Sequence, residues 1–363
     1  MSYAFRELLR KVGSGTHTGE TLTRQEAAAA TRMMLLQEAT PAQIGAFMIA
    51  HRIRRPTGEE LAGMLDAYDE LGPNLHSIPT SRRVTVLGVP YDGRSRTAPL
   101  SPLTALILAT VGCPVIMHGG DRMPTKEGEP LIHFWNGLGV NWTQLSLEQV
   151  QHVLETVGIG FVYLPTHFPL AQGLVTYREQ IGKRPPFATM ELMWCPYAGD
   201  VHVVSGFVHP PTEDMFRQAF SLRGVTQFTT VKGLEGSCDL PRERTSIIGC
   251  AGHQPVHHAD SATMLPSFER LHLHPRDYGF AGQNVSLHSL DQAIAAMHTV
   301  LQGEPSEYLR SILWNSGFYL WRCGHCPSID AGIAEAERVL SQGLVMQTLR
   351  SLQRATVPLQ LAR

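Results

Sequence analysis

The feature that most restricts what this chain can fold into is a change of hydrophobic period near residue 83. Before it, apolar residues recur at helical spacing. Thr23-Arg24-Gln25-Glu26 has the form of a capping box, in which the Thr hydroxyl covers an orphan N–H and the Glu carboxylate reaches back. Thr40-Pro41-Ala42-Gln43 repeats the signal with proline at the first helical position, followed by Ile44, Phe47, Met48 and Ile53. Thr57-Gly58-Glu59-Glu60 opens a third helix that stops at Gly72-Pro73. Residues 73–81 read as a linker. Beyond it come short apolar runs of strand length at 84–89, 114–118, 160–164, 202–208 and 226–231, with helical patterns at 103–111, 147–157 and 212–222. Strands alternating with helices of about 10–15 residues predict a parallel sheet covered by helices. The stretch 166–199, rich in Pro and aromatic residues, breaks the rhythm and is expected to pack elsewhere. Further helices are predicted at 291–301, 306–321 and 329–340, the last running on towards Leu352.

The expected fold class is therefore α/β: a small N-terminal helical domain over residues 1–75, joined by part of 166–199, and a larger parallel-sheet α/β domain over 82–363. A length of 363 residues fits two domains. Composition excludes several function classes. With 43% apolar residues the chain can bury a sizeable core, so it is no disordered linker. No stretch approaches the ~20 apolar residues of a membrane span, and Met1-Ser2-Tyr3-Ala4-Phe5-Arg6-Glu7 lacks the order of a signal peptide. Six cysteines without framework spacing suit a reducing cytoplasm. A net charge of −2 advertises no nucleic acid. Of 30 basic residues, only Lys11, Lys126, Lys183 and Lys232 are lysines, and the arginine fork suits phosphate and carboxylate.

Two strand-to-helix turns, 88–96 and 118–126, fall at the carboxyl ends of parallel strands, where α/β folds bind ligands. Arg94, Arg96, Arg122 and Lys126 would surround that point, partly offset by Asp92, Asp121 and Glu127. This is the best anion site in the chain; the plain alternative is a pair of ordinary turns with solvated charges. Cys323-Gly324-His325-Cys326 follows a long helix, so it lacks the helix N-terminus that lowers a thiol pKa and reads as a loop. His253, His257, His258, His272 and His274 form a dense region without a helical ligand pair, and read as loop histidines. Arg52, Arg54 and Arg55, with Arg82, Arg83, Arg94 and Arg96, could form a stripe for a nucleic-acid backbone, or simply a solvated helix end.

Several segments resemble the anthranilate phosphoribosyltransferase family of glycosyltransferases. They are Leu22-Thr23-Arg24-Gln25-Glu26-Ala27, Ala39-Thr40-Pro41-Ala42-Gln43-Ile44, Gly158-Ile159-Gly160-Phe161 with Pro165, Pro275-Arg276-Asp277-Tyr278-Gly279-Phe280, and Val300-Leu301-Gln302-Gly303 with Asn315. The resemblance runs nearly end to end and implies the phosphoribosyltransferase fold. The family's catalytic motifs match less well. Its Gly-rich "GTGGD" turn, which cradles a pyrophosphate, is here Gly88-Val89-Pro90-Tyr91-Asp92: Pro90 has no N–H to donate and Tyr91 brings a ring. Its "KHGN" is Met117-His118-Gly119-Gly120, although the later Lys126 is kept. Its Mg²⁺-holding "GxDE" is Gly236-Ser237-Cys238-Asp239; Mg²⁺ prefers oxygen ligands, so Glu235 would have to substitute for the thiol. Its "FNxLGP" is Phe187-Ala188-Thr189-Met190-Glu191-Leu192, and its "HPA" is Phe168-Pro169-Leu170 with His167 one place early. Pro90-Tyr91-Asp92-Gly93, Leu100-Ser101-Pro102-Leu103 and Lys232-Gly233-Leu234-Glu235-Gly236 look like a second, divergent branch of the family with degenerate catalytic motifs.

The resemblance implies Mg²⁺-dependent transfer of a phosphoribosyl group from phosphoribosyl pyrophosphate to a small acidic or aromatic acceptor, with weakened donor motifs. Gly88, Asp92, Gly93, Arg96, Ser101, His118, Gly119 and Lys126 would hold the donor. Arg178, matching the family's carboxylate-binding arginine, and His167 would hold the acceptor, while Asp239 and Glu235 would hold Mg²⁺. It also implies a homodimer joined through the helical domain. The alternative, taken from the divergent branch, is a non-catalytic nucleic-acid-binding homodimer on the same fold.

Overall fold

The computed structural model describes residues 2–15, 18–252 and 268–357. Four helices come first: α1 (Tyr3–Gly13), α2 (Arg24–Leu35), α3 (Pro41–Arg54) and α4 (Gly58–Leu71). The predicted capping boxes form at Thr23/Glu26 and Thr40/Gln43, and the helix opening at Thr57 carries a third, Thr57/Glu60. α1, capped by Ser2, carries no box and escapes a reading based on that signal. Glu60 does more than close its own box. Its carboxylate is fully buried, accepts from Leu22 N at 2.8 Å and Thr57 N at 2.7 Å, and pairs with Arg54. One side chain thereby caps α4 and ties it to the segment entering α2.

The remaining elements alternate as the period predicts. They are β1 (Val84–Gly88), α5 (Ser101–Thr110), β2 (Val115–Gly119), α6 (Leu131–Gly137), α7 (Leu147–Val157) and β3 (Ile159–Tyr163), then short helices α8 (Leu164–His167), α9 (Pro169–Gln172), α10 (Val175–Ile181) and α11 (Phe187–Met190). After them come β4 (Val201–Gly206), α12 (Pro210–Leu222), β5 (Phe228–Val231), β6 (Ser246–Ala251), β7 (Phe268–Leu273), α13 (Leu290–Leu301), α14 (Glu307–Arg322), α15 (Ile329–Ser341) and α16 (Leu344–Ala355). One seven-stranded sheet has the order β3-β2-β1-β4-β5-β6-β7. β1 to β5 pair in parallel, whereas β6 and β7 extend the sheet antiparallel. β1, β2 and the edge strand β3 are buried throughout, as expected of strands covered on both faces. β7 interleaves Glu269, Arg270 and His272 with apolar residues and lies half exposed at the edge, which is why no apolar run announces it. The last predicted helix is two: Gly343, at φ +70°, breaks α15 from α16.

The helices of 166–199 pack towards the N-terminal bundle. α10 lies against α3, with Tyr177 Oη donating to Gln37 Oε1 at 2.7 Å, and α11 lies against α4. An aromatic seam follows: Tyr68 meets Phe168 edge-on at 5.0 Å and Trp194 at 5.6 Å, with Phe187 beside it. Each fully buried ring contributes roughly 1.5–3 kcal/mol through burial alone. The seam holds the bundle to the sheet next to the candidate site. Among the described residues, no helix is long and apolar enough to cross a membrane.

Candidate functional site

The two turns expected to lie side by side do so. Arg94 N donates to Glu129 O at 2.9 Å, Glu129 N to Arg94 O at 2.7 Å, and Gly128 N to Asp92 O at 2.9 Å. Lys126 reaches across to Gly93 O at 2.8 Å. Gly93 has φ +76°, and a Cβ there would lie 2.5 Å from Gly128 C, so its glycine serves this junction. At Gly88 a Cβ would lie 2.2 Å from Leu192 O; that glycine admits the chain's own backbone rather than an anion. Gly119 ends β2 in ordinary contact with Phe161.

A third turn closes on these two. Glu235 adopts a left-handed backbone, φ 54°, costing a non-glycine residue roughly 1 kcal/mol or more. Its carboxylate accepts from Ser95 N at 3.2 Å, Arg96 N at 3.0 Å and Thr97 N at 2.9 Å, pairs with Lys126, and lies 3.5 Å from Arg94 Nε. Burial opposes ionisation, yet Lys126, Arg94 and these N–H groups hold the carboxyl well below its usual range. Asp239, 2% exposed, accepts on Oδ2 from Arg94 Nη1 at 2.9 Å and from Leu100 N at 3.0 Å. Leu100 caps α5, so Asp239 takes the helix N-terminus where a phosphate would be received. Burial pushes the Cys238 thiol up, so it stays protonated.

The structure fills the gap between the two residues expected to hold Mg²⁺. The cation between Asp239 and Glu235 is the Arg94 guanidinium, with Lys126 on the far side of Glu235. Mg²⁺ needs oxygen ligands with free lone pairs in near-octahedral array, and a seat on this pair does not fit while both carboxylates are so committed. Among the described residues, no group of three or more His, Cys, Asp or Glu side chains is placed to hold a metal.

The other donor residues are likewise engaged by the chain. His118 is fully buried between Tyr91 Oη (2.6 Å from Nδ1) and Trp194 O (3.0 Å from Nε2). A carbonyl only accepts, so Nε2 carries the proton and Nδ1 accepts from Tyr91. Burial lowers the His118 pKa to about 4, leaving a neutral ring. Asp92 pairs with Arg184, and Arg122 with Glu129. Ser101 is buried beside a cavity of about 10 Å³ lined by Pro90, Gly93, Arg94 and Ser237, room for roughly one water. Arg96 alone of the expected donor residues points outward, its side chain 78% exposed.

On the acceptor side Arg178, 2% exposed, is met by Glu191, 1% exposed. Both terminal nitrogens pair with both carboxylate oxygens, Nη1 to Oε2 at 3.1 Å. Burial raises the Glu191 pKa, with Arg178 opposing it. The expected carboxylate-binding arginine is therefore already occupied. Arg178 Nε, Tyr68 Oη and Gln172 Oε1 have no partner among the described residues. His167 holds a turn together: its Nδ1 accepts from Tyr163 N at 2.9 Å and its Nε2 donates to Leu145 O at 2.8 Å. Sequence reading missed Glu191, yet an acid inside Met190-Glu191-Leu192-Met193-Trp194 was its visible signal.

The remaining candidates separate. Cys323 and Cys326 follow α14, and burial pushes both thiols up. His253, His257 and His258 lie outside the described residues; His274 bonds Thr245 Oγ1 at 2.9 Å. Of the arginines expected in a stripe, Arg54, Arg83 and Arg94 pair with Glu60, Asp200 and Asp239, and Arg52, Arg55, Arg83 and Arg96 are exposed. A larger cavity of about 610 Å³ lies at the opposite, amino-terminal end of the strands, beside Arg82, His202 and Arg322, away from all three turns.

Comparison with known proteins places these features. The chain is 26% identical over 345 residues to the anthranilate phosphoribosyltransferase of Herpetosiphon aurantiacus, covering 91% of this chain and 94% of that one. It is 26% identical to that of Rhodopseudomonas palustris, covering 96% and 97%. Among solved structures, the Thermus thermophilus anthranilate phosphoribosyltransferase superposes with TM-score 0.77 at 19% identity, covering 98% and 99%. The Saccharomyces cerevisiae enzyme in complex with PRPP and Mg does so at 0.80 and 15% identity, covering 98% of each chain. The helical bundle domain of the glycosyl transferase family matches residues 6–72 and its a/b domain residues 92–346, so this chain belongs to the glycosyl transferase family.

Proposed function

We propose that the chain is a phosphoribosyltransferase acting at the junction of the three turns. The observation that carries this is the convergence of Arg94, Arg96 and Lys126, from two βα turns, on the turn of Glu235 at the carboxyl edge of the parallel strands. In such a transfer the bond between ribose C1 and the diphosphate oxygen breaks, and its electron pair leaves with the diphosphate. The acceptor nucleophile bonds to C1 and gives up its proton. Arg96 and Lys126 would neutralise the departing diphosphate, Ser101 would hydrogen-bond the donor, and the Tyr68–Trp194 seam would keep water out. The yeast relative was solved with PRPP and Mg; here Arg94 and Lys126 meet Asp239 and Glu235.

Isothermal titration with phosphoribosyl pyrophosphate, with and without Mg²⁺, tests this reading. Saturable heat is expected, and Glu235→Gln should bind more tightly because Lys126 is released. No heat at millimolar ligand overturns it. The division into residues 1–75 and 82–363, a cytoplasmic setting and a homodimer through the helical region belong to the same proposal. Sedimentation equilibrium checks the dimer: a monomer at all concentrations removes it.

A further inference from the structure

The buried Arg178–Glu191 pair deepens the proposed function and rests on it. The family resemblance places an arginine at Arg178 to receive an acceptor's carboxylate. Here the protein supplies that carboxylate itself: Glu191 Oε1 and Oε2 fill both terminal nitrogens of the guanidinium. The two side chains are 2% and 1% exposed and cancel in charge. An acidic acceptor would have to expel Glu191, stranding a buried carboxylate, or else stand unpaired itself; either penalty is large in a dry site.

With Glu191 balancing the guanidinium, the atoms left unsatisfied around the pair carry no net charge. Arg178 Nε is a buried donor without a partner, Tyr68 Oη is another buried polar atom without one, and Gln172 Oε1 is an acceptor without one. Arg178 Nη1 lies 3.7 Å from Met123 Sδ. Gln172 Oε1 and the Met123 methyl both crowd Gly120, so the guanidinium of Arg178 and the open acceptor lie beside the same methionine. Buried polar atoms are rarely left unpaired. A group that accepts one hydrogen bond and donates another, as a carboxamide or a lactam edge does, would answer both without adding charge.

We propose that Glu191 sets acceptor specificity: it stands in for the acidic acceptor's carboxylate, and the chain takes an uncharged acceptor presenting a hydrogen-bond acceptor beside a donor. The test uses a matched pair of probes, anthranilate and its neutral amide 2-aminobenzamide, titrated into the full chain saturated with phosphoribosyl pyrophosphate. Wild type should bind the amide at least roughly tenfold more tightly than the acid, a difference of about 1.4 kcal/mol. Glu191→Gln should reverse the order, and anthranilate should raise its Tm but not that of wild type. Glu191→Asp, which keeps the charge, should keep the wild-type preference. A residue with only a structural role would lower Tm without exchanging the ligands.

Wild type binding anthranilate as tightly as the amide overturns the inference, as does an unchanged preference in Glu191→Gln. If Glu191→Gln fails to fold, the wild-type and Glu191→Asp titrations still decide. Neither probe binding either protein, while phosphoribosyl pyrophosphate gives saturable heat, overturns the acceptor assignment and leaves the donor reading standing. Absence of donor heat overturns the proposed function itself.

Discussion

Glu60 in the helical bundle and Glu235 in the cleft are held by the same device. Each buried carboxylate accepts backbone N–H bonds from a separate segment and pairs with a cation, Arg54 in one case and Lys126 in the other. The difference lies in reach. Glu60 closes a capping box three residues from Thr57, so its structural duty shows in the spacing. Glu235 grips Arg96, 139 residues away, and by sequence alone it looks free to bind a metal. A carboxylate's availability thus depends on partners that spacing reveals only when they are local.

Breaking the bundle carboxylate should cost most. Glu60→Ala leaves Arg54 and two backbone N–H groups without their acceptor and should lose about 3–5 kcal/mol in urea unfolding. The same residue predicts acid sensitivity: its pKa is lowered to about 2 in the fold, against about 4.5 unfolded. The stability it confers is therefore present above pH 4.5 and lost as pH falls towards 2, and Glu60→Gln should flatten that part of the profile. His118 gives the cleft its own window. A buried neutral histidine with its pKa lowered to about 4 stabilises fully above 6.5 and loses about 3 kcal/mol between pH 6.5 and 4. Thermal melts of His118→Leu against pH should lack this slope.

Glu235→Gln should cost about 2 kcal/mol by removing the charge that Lys126 and the backbone donors meet. Wild-type stability in that variant would break the comparison, because it would mean the cleft carboxylate carries no structural duty. Thr57→Ala, which removes only the box hydroxyl, should cost about 1 kcal/mol and separates the local cap from Glu60's wider role. Arg96→Ala should change stability by less than about 0.5 kcal/mol, since its side chain points to solvent, while weakening the titration with the diphosphate donor.

The fold was largely legible where interactions are local or periodic. The boxes at Thr23 and Thr40 and the helix opening at Thr57 formed, and the apolar runs became β1 to β5 with helices between them. β7 was missed because this antiparallel edge strand is half polar, β6 because its buried run Ser246–Ala251 is short and holds a glycine, and the break at Gly343 because one glycine rarely interrupts a strong helical pattern. In the site, the pairing of turns 88–96 and 118–126 and the place of Lys126 could be read in advance. The occupation of Arg178 by Glu191, and of the Asp239–Glu235 gap by Arg94, could not.

The amino-acid sequence by itself determined the order of β1 to β5 and of the capped helices, the family and which charged residues reach the carboxyl edge of the sheet, because caps, hydrophobic period and turn chemistry act over a few residues. Only the tertiary structure decided which of those charges remain available. Arg94 lies 145 residues from Asp239, and pairs formed over such distances follow from how strands stack and turns meet. Once buried, each charge takes whatever opposite charge the packing brings within reach, since leaving it unpaired costs about 3–5 kcal/mol.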